Sequence, residues 1–178
     1  MRILKKTLSK WIEEEDAIAA VEAALIFPMM LILFLGVFDL GNAILANQKT
    51  IRASQIVADL ITRENIVTTA DIDGAIEAGR LAFEPIDSTS YGVDIVSIRF
   101  DENADSEIVW RETFNMSSLP DALTAVAALE TANEGVVMVS VNYTYNPVFA
   151  GFAVGQIIMG EVAFSRGRRT SVVLRDGI

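Results

Sequence analysis

The sequence contains no cysteine and no histidine. Disulfide bonds and thiolate metal sites are therefore excluded, and the commonest general base and the commonest zinc ligand of proteins are absent. Acidic residues outnumber basic residues by 24 to 14, which gives a formal net charge of -10. Because such a chain repels phosphate groups, nucleic acid is not expected among its partners. No metal ion and no cofactor are expected either.

The sequence also lacks the familiar catalytic motifs. It has no G-x-S-x-G nucleophile elbow, no glycine-rich phosphate loop and no H-E-x-x-H zinc motif. The acidic run at 13–16 suggests metal binding and the arginines at 166, 168 and 169 suggest an anionic partner, but a solvated charge run is the simpler explanation of each. The sequence therefore predicts a protein that is not an enzyme.

Hydrophobic residues make up 52% of the chain and are concentrated near the N-terminus. Between Ala17 and Phe38 the only charged residue is Glu22. A helix of this length spans about 33 Å at about 1.5 Å per residue, which is enough to cross the hydrocarbon core of a bilayer. Pro28 lies inside the run, and membrane helices tolerate proline with a mild kink. The run is longer than the apolar core of a cleaved signal peptide, so a retained anchor is expected.

These patterns divide the chain into three parts. Residues 1–16 are predicted to be a cytoplasmic segment, 17–46 a transmembrane helix, and 47–178 an extracytoplasmic domain, with the orientation taken from the positive-inside rule. The helical spacing of apolar residues continues beyond the membrane segment, which predicts one unbroken helix over about 17–63. No low-complexity linker separates the helix from the domain.

The remainder of the chain predicts a small mixed domain. Helices are expected over 69–83 and 118–132, and strands over 92–100, 106–114, 136–146 and, as one or two strands, within 157–173. The fold class is therefore α+β, with the long N-terminal transmembrane helix packed on a small antiparallel sheet of about four strands and with two short helices. The order of the strands does not follow from the sequence.

Two carboxylates mark the ends of the apolar run. Glu22 lies five residues into it, where a charged group is costly unless it is paired or neutralised. A functional role and snorkelling to the cytoplasmic interface both account for it. Asp39 lies near the other end, followed by Leu40 and Gly41, and solvation at the outer interface is a sufficient explanation for it.

In combination, these residues resemble the N-terminal pattern of TadE-like proteins, the pseudopilins or minor pilins of the tight-adherence (Flp/Tad) pilus system. The resemblance rests on the AAVEAAL run around Glu22, on Pro28 and the leucine-rich stretch after it, and on Asp39-Leu40-Gly41, and it covers about residues 17–50. A weaker likeness covers about residues 136–175, where VNYTYNP and SRGRR look like the closing strands of that family. The resemblance implies a pilin-like fold and a role in building an adhesive bacterial pilus.

The resemblance also implies a processing site. In processed relatives, a prepilin peptidase leaves a glutamate at the fifth position of the mature chain. Carried onto this sequence, the cut falls between Ala17 and Ile18 and makes Glu22 the fifth residue, able to pair with the freed amino group of a neighbouring subunit. Ala17 stands where glycine is usual and Ala23 where an aromatic residue is usual. An uncleaved anchor therefore stays an open alternative.

The assembly residues implied by the resemblance are Glu22, Pro28, Asp39 and Gly41, in a bundle of pilin helices. The implied partners are other Tad pseudopilins (TadE- or TadF-like), the major Flp pilin, inner-membrane platform proteins, the prepilin peptidase and membrane lipid. The implied location is the bacterial inner membrane with the domain in the periplasm, and incorporation into the pilus is left open. The alternative is a single-pass, membrane-anchored binding or sensor module unrelated to pili, which predicts a pocket in the soluble domain and a replaceable Glu22.

Overall fold

A single long helix dominates the structure. The computed structural model describes residues 15–149, 151 and 154–177, with side chains from residue 18 onward, so the predicted cytoplasmic segment lies outside the described residues except for its last two. Helix α1 runs without a break from Glu15 to Ile61 and continues through Pro28. The predicted continuity between the apolar helix and the domain helix is therefore confirmed.

The described residues add two short helices and six strands. Helix α2 is Thr69–Leu81, and α3 is Ala122–Val126, followed by a 3-10 turn at Ala127–Leu129. The strands are β1 Ile66–Val67, β2 Gly92–Phe100, β3 Ser106–Phe114, β4 Gly135–Tyr145, β5 Ile157–Ser165 and β6 Leu174–Arg175. The predicted α+β class, with a long apolar helix and a small antiparallel sheet, is confirmed.

Four strands form one antiparallel sheet in the order β3-β2-β4-β5. Strand β4 pairs with β2 as far as Asn142, which lies opposite Gly92 at the start of β2. Its last residues, Tyr143 to Tyr145, continue the ladder with β5 alone. At about 3.3 Å per residue, the β4–β5 hairpin therefore extends about 10 Å past the end of β2.

The domain covers one face of α1, and that coverage begins at Asp39. The buried positions then recur at helical spacing: Asp39, Ala43, Ala46, Thr50, Ala53, Ser54, Val57, Ala58 and Ile61. Most of these side chains are small, so the helix can lie close to α2, β4 and β5, which pack against it. Packing on the domain thus starts within the stretch 17–46, which the sequence assigned to the membrane.

Helix α2 is capped at its beginning and bonded to α1 after its last turn. It begins with a capping box in which the Thr68 hydroxyl accepts the Asp71 N–H at 3.2 Å and the Asp71 carboxylate accepts the Thr68 N–H at 2.9 Å. After its last turn, Lys49 of α1 donates to the carbonyls of Ala82 at 3.2 Å and Glu84 at 2.6 Å. The lysine charge also complements the helix dipole at that end.

Two predicted segments differ from the structure. The third helix was expected over 118–132, but α3 covers only Ala122–Val126. The chain then tightens into the 3-10 turn, which packs Leu129 against the same cluster as Ala122 and Val126. The expected strand region up to Val173 yields β5 only as far as Ser165. Beyond it, the Val173 carbonyl accepts the Ser97 hydroxyl at 2.7 Å and the Trp110 indole N–H at 2.9 Å. These bonds position β6, which pairs in parallel with β1, a pairing absent from the sequence predictions.

Gly79 provides a test of the α1–α2 contact. A Cβ atom at this position would lie 2.7 Å from Val57 Cγ2 and closer still to the Tyr91 hydroxyl oxygen. That hydroxyl is buried without a hydrogen-bond partner among the described residues, and burial raises its pKa. Gly79→Ala is expected to lower the free energy of unfolding by about 1 to 3 kcal/mol through overpacking, measured by chemical denaturation of the full chain in detergent micelles.

The matched control for Gly79→Ala is Gly74→Ala in the same helix, where no atom lies within 4 Å of the added Cβ. Because alanine is the better helix former, this substitution is expected to stabilise the protein by up to about 1 kcal/mol. Equal unfolding energies for the two variants would show that α2 does not pack on α1 as tightly as described.

Candidate functional site

The N-terminal half of α1 presents a long exposed apolar surface. It is long and apolar enough to cross a membrane, and its most apolar stretch is not buried anywhere in the structure. All its large hydrophobic side chains from Ile18 to Phe38 are at least partly exposed, with none in the domain core. An apolar surface of this extent requires a partner other than water, either lipid or other apolar helices.

Glu22 is an exposed residue in this apolar surface. It lies about 25 Å along the helix from Asp39, where contact with the domain begins, at about 1.5 Å per residue. No group of the described domain can therefore reach the Glu22 carboxylate. The structure leaves the residue available to a group outside this chain's own domain.

The other predicted helix residues occupy different environments. Ile18 is exposed, and the Ala17–Ile18 peptide bond lies within α1, although the Ala17 side chain is outside the described part. Pro28 is exposed on the apolar stretch. Gly41 is exposed, and no atom lies within 4 Å of a Cβ placed there, so packing within the chain does not require glycine. The structure does not bring these residues together with Asp39.

Asp39 lies at the junction of the apolar helix and the domain, and only 4% of it is exposed. Its carboxylate accepts the backbone N–H groups of Val148 at 2.9 Å and Phe149 at 2.8 Å. The Tyr145 hydroxyl, at the end of β4, approaches the Asp39 carbonyl at 3.4 Å. Asp39 is therefore not solvated, in contrast to what the sequence had suggested. Its buried carboxylate holds the β4–β5 connection against α1.

Two neighbours of Asp39 complete this junction. Burial raises the pKa of the Tyr145 hydroxyl, and the negative charge of Asp39 adds to the shift, so this group stays a neutral donor. The ring of Phe149 packs edge-on against Phe38, one residue before Asp39, with centroids 5.6 Å apart. Polar and aromatic contacts therefore hold the same point of the connection.

Sequence reasoning missed a second buried carboxylate, Asp94, which is fully buried in β2. It accepts Arg111 Nε at 2.9 Å and the Leu119 N–H at 2.8 Å, and Arg111 also donates to the Leu119 carbonyl at 2.8 Å. The signal was present, since a carboxylate in an otherwise apolar strand needs a partner. Asp94 is a structural link between β2, β3 and the segment that leads into α3.

The arginine cluster after β5 is occupied within the chain. Arg166 pairs with Glu134, Arg168 pairs with Asp59, and Arg169 lies 4.0 Å from Glu64. These pairs are largely exposed and contribute little stability, but they account for the cluster without an anionic partner. Across the described part of the chain, no three acidic side chains converge as the ligands of a metal ion would.

Comparison with protein families gives a match to the N-terminal part of the chain. Residues 17–59, which are 43 of the 178 residues, match the family model of the TadE-like protein. The match covers the apolar helix and its continuation onto the domain, and does not extend to the weaker likeness over 136–175. No curated protein and no solved structure matches the chain. The N-terminal segment of this chain, from the apolar helix to its contact with the domain, is TadE-like, as its sequence pattern indicated.

Proposed function

We propose that this chain is a membrane-anchored pseudopilin, or minor pilin, that supports assembly of a tight-adherence (Flp/Tad) type IV pilus. The observation that carries the proposal is the exposed apolar half of α1 with Glu22 on its surface, in the segment that matches the TadE-like family. The role is structural and requires no catalysis by this chain.

The proposed interaction surface is the exposed half of α1. Other pilin helices would pack against it, and the Glu22 carboxylate would pair there with an amino group from a neighbouring subunit. Pairing and neutralisation remove the cost of a lone charge in an apolar bundle. Gly36 and Gly41 have no atom within 4 Å of a Cβ placed on them, so a second helix backbone can approach closely at both positions.

The proposed location is the bacterial inner membrane, with the N-terminus in the cytoplasm and the domain in the periplasm. In that location the proposed partners are other Tad pseudopilins, the major Flp pilin, the platform proteins and the prepilin peptidase. The basic N-terminal residues support this orientation through the positive-inside rule.

The alternative of a binding or sensor module predicts a ligand pocket in the soluble domain. Two concavities of the described surface bear on that expectation. One is a groove lined by residues of α1 and the segment just after it, and the other is a polar depression around Glu134 and Arg166. Ligand pockets are usually enclosed and mostly apolar with a few converging polar groups. The groove is open and lined by one stretch of chain, and the depression lacks apolar lining residues, so neither concavity favours the alternative.

The proposal is tested with Glu22→Ala in the native host. Fibres are expected to be lost while the variant accumulates at the wild-type level, because the membrane helix becomes more apolar and only the intersubunit pairing is removed. Fibres are counted by electron microscopy, and the protein is quantified by immunoblotting of membranes. Glu102→Ala, which removes an exposed carboxylate in the β2–β3 turn outside the proposed interaction surface, is the control and is expected to leave fibre number unchanged.

A normal fibre count for Glu22→Ala would overturn the pairing role. The intact mass of the chain from native membranes separates the two forms of the anchor. A chain that begins at Ile18 would establish processing and provide the amino group for the pairing. A chain that begins at Met1 would establish an uncleaved anchor and remove the proposed amino-group partner of Glu22.

A further inference from the structure

The connection between β4 and β5 differs in chemistry from the opposite end of the sheet. From Asn146 to Gly160 the sequence contains no charged residue. The turn between β2 and β3, at the other end of the same strands, contains three exposed acidic residues: Asp101, Glu102 and Asp105. The connections at the two ends of the sheet therefore differ in charge, and the uncharged one, between β4 and β5, is next to Asp39.

The uncharged β4–β5 connection exposes large apolar side chains. Val148 is 69% exposed and Ile158 is 76% exposed, and Phe149 and Val154 are also exposed. Ile158 pairs with Thr144, one residue from Tyr145, so it lies on the part of the hairpin that extends past β2. Four exposed apolar side chains on one uncharged stretch of chain are typical of a contact surface.

The position of the β4–β5 connection relative to the apolar helix indicates what covers its exposed side chains. Asp39, which binds the N–H groups of Val148 and Phe149, lies about 32 Å from Ile18 along the helix, close to the thickness of about 30 Å of a bilayer hydrocarbon core. On the face of α1 that the domain leaves open, Leu40, Ile44 and Leu45 are still exposed. The apolar surface of the helix thus continues beside this connection.

The backbone of this connection is also adapted to an apolar environment. Lipid offers no hydrogen-bond partner to a backbone N–H group, so loops near the hydrocarbon must satisfy these groups within the protein. The Asp39 carboxylate accepts the N–H groups of both Val148 and Phe149. What remains exposed at these two positions is mainly apolar side chain.

We propose that the β4–β5 tip, defined by Val148, Phe149, Val154 and Ile158, is a second membrane-contacting element that lies in the interfacial region of the bilayer. The occupant is lipid, at the boundary between head groups and acyl chains, where apolar side chains of this kind insert. The domain then contacts the membrane at two points, the helix and the tip. This inference depends on the membrane span and is independent of the pilus role.

The absence of cysteine from the chain allows a direct test with single-cysteine variants of the full chain. Val148→Cys and Ile158→Cys are labelled with an environment-sensitive fluorophore and reconstituted into vesicles of phosphatidylcholine and phosphatidylglycerol. Lipids with a nitroxide on the upper acyl chain are expected to quench roughly half of the emission of both labels. Aqueous iodide is expected to quench neither label.

The control is Ile66→Cys, at a residue that is 54% exposed and follows the end of α1, about 33 Å beyond Asp39. Its label is expected to be quenched by iodide and not by the nitroxide lipid. If the labels at 148 and 158 respond as the label at 66 does, the proposal is overturned. Because all three residues are exposed, the substitutions leave the core intact, which circular dichroism of each variant verifies.

Discussion

Replacement of Asp39 by alanine is expected to release the β4–β5 connection from helix α1. The substitution removes the acceptor of the Val148 and Phe149 N–H groups, and each sheltered donor that loses its partner costs about 1 to 3 kcal/mol. Because both bonds are only partly buried, about 1 to 2 kcal/mol is expected for each. The total of about 2 to 4 kcal/mol corresponds to roughly 30- to 800-fold faster hydrogen exchange at these two amides. Hydrogen-exchange mass spectrometry of the full chain in detergent micelles measures the change.

Two further variants identify the cause of the Asp39 effect. Asp39→Asn retains a carbonyl oxygen that accepts one N–H group, so a smaller acceleration is expected. Leu40→Ala changes the adjacent residue, which is 60% exposed, and is expected to leave the two amides unchanged. Undiminished protection at Val148 and Phe149 in Asp39→Ala would show that the aromatic contact with Phe38 holds the connection without the carboxylate.

Replacement of Asp94 by alanine is expected to destabilise the whole sheet domain. The change leaves the Arg111 guanidinium, 22% exposed at its side chain, and the Leu119 N–H without their shared acceptor. Removal of one partner from a buried pair costs about 3 to 5 kcal/mol, and the partial exposure of Arg111 places the expected loss near the lower end, about 3 kcal/mol. Chemical denaturation in detergent micelles, followed by circular dichroism, gives the free energy of unfolding.

Glu107→Ala is the matched control for Asp94→Ala. Glu107 pairs with Arg99 across the same two strands, but both side chains are about half exposed, at 53% and 52%. Such surface pairs contribute about 1 kcal/mol or less. Similar losses for the two variants would mean that burial of Asp94 does not determine the strength of its contacts.

Several elements of this fold follow from local sequence alone. The bounds of β2 and β3 agree with the prediction at both ends, because alternating apolar residues flank a polar turn and the pattern needs no information from elsewhere. Helix α1 ends within two residues of the expected position, because the helical spacing of its apolar residues is also a local pattern. By contrast, β1 and β6 are two residues each and form only because distant segments meet.

The residues of the candidate site also divide into those that a local pattern identifies and those that depend on distant contacts. The apolar run and Glu22 are properties of one continuous segment, so a pattern of residues identifies them. The role of Asp39 depends on N–H groups about 110 positions later in the chain, and no local pattern distinguishes this carboxylate from a solvated one. Long-range backbone contacts therefore set the limit of what the sequence could predict here.

In the proposed membrane-spanning arrangement, the unbroken course of α1 from Glu15 to Ile61 couples the orientation of the domain to that of the span. The helix extends about 33 Å beyond Asp39, at about 1.5 Å per residue. A tilt of the span by about 20°, the average for membrane helices, displaces the far end of the domain sideways by roughly 11 Å. Packing of the span against neighbouring helices, which sets this tilt, would thus determine where the domain's outer surface lies.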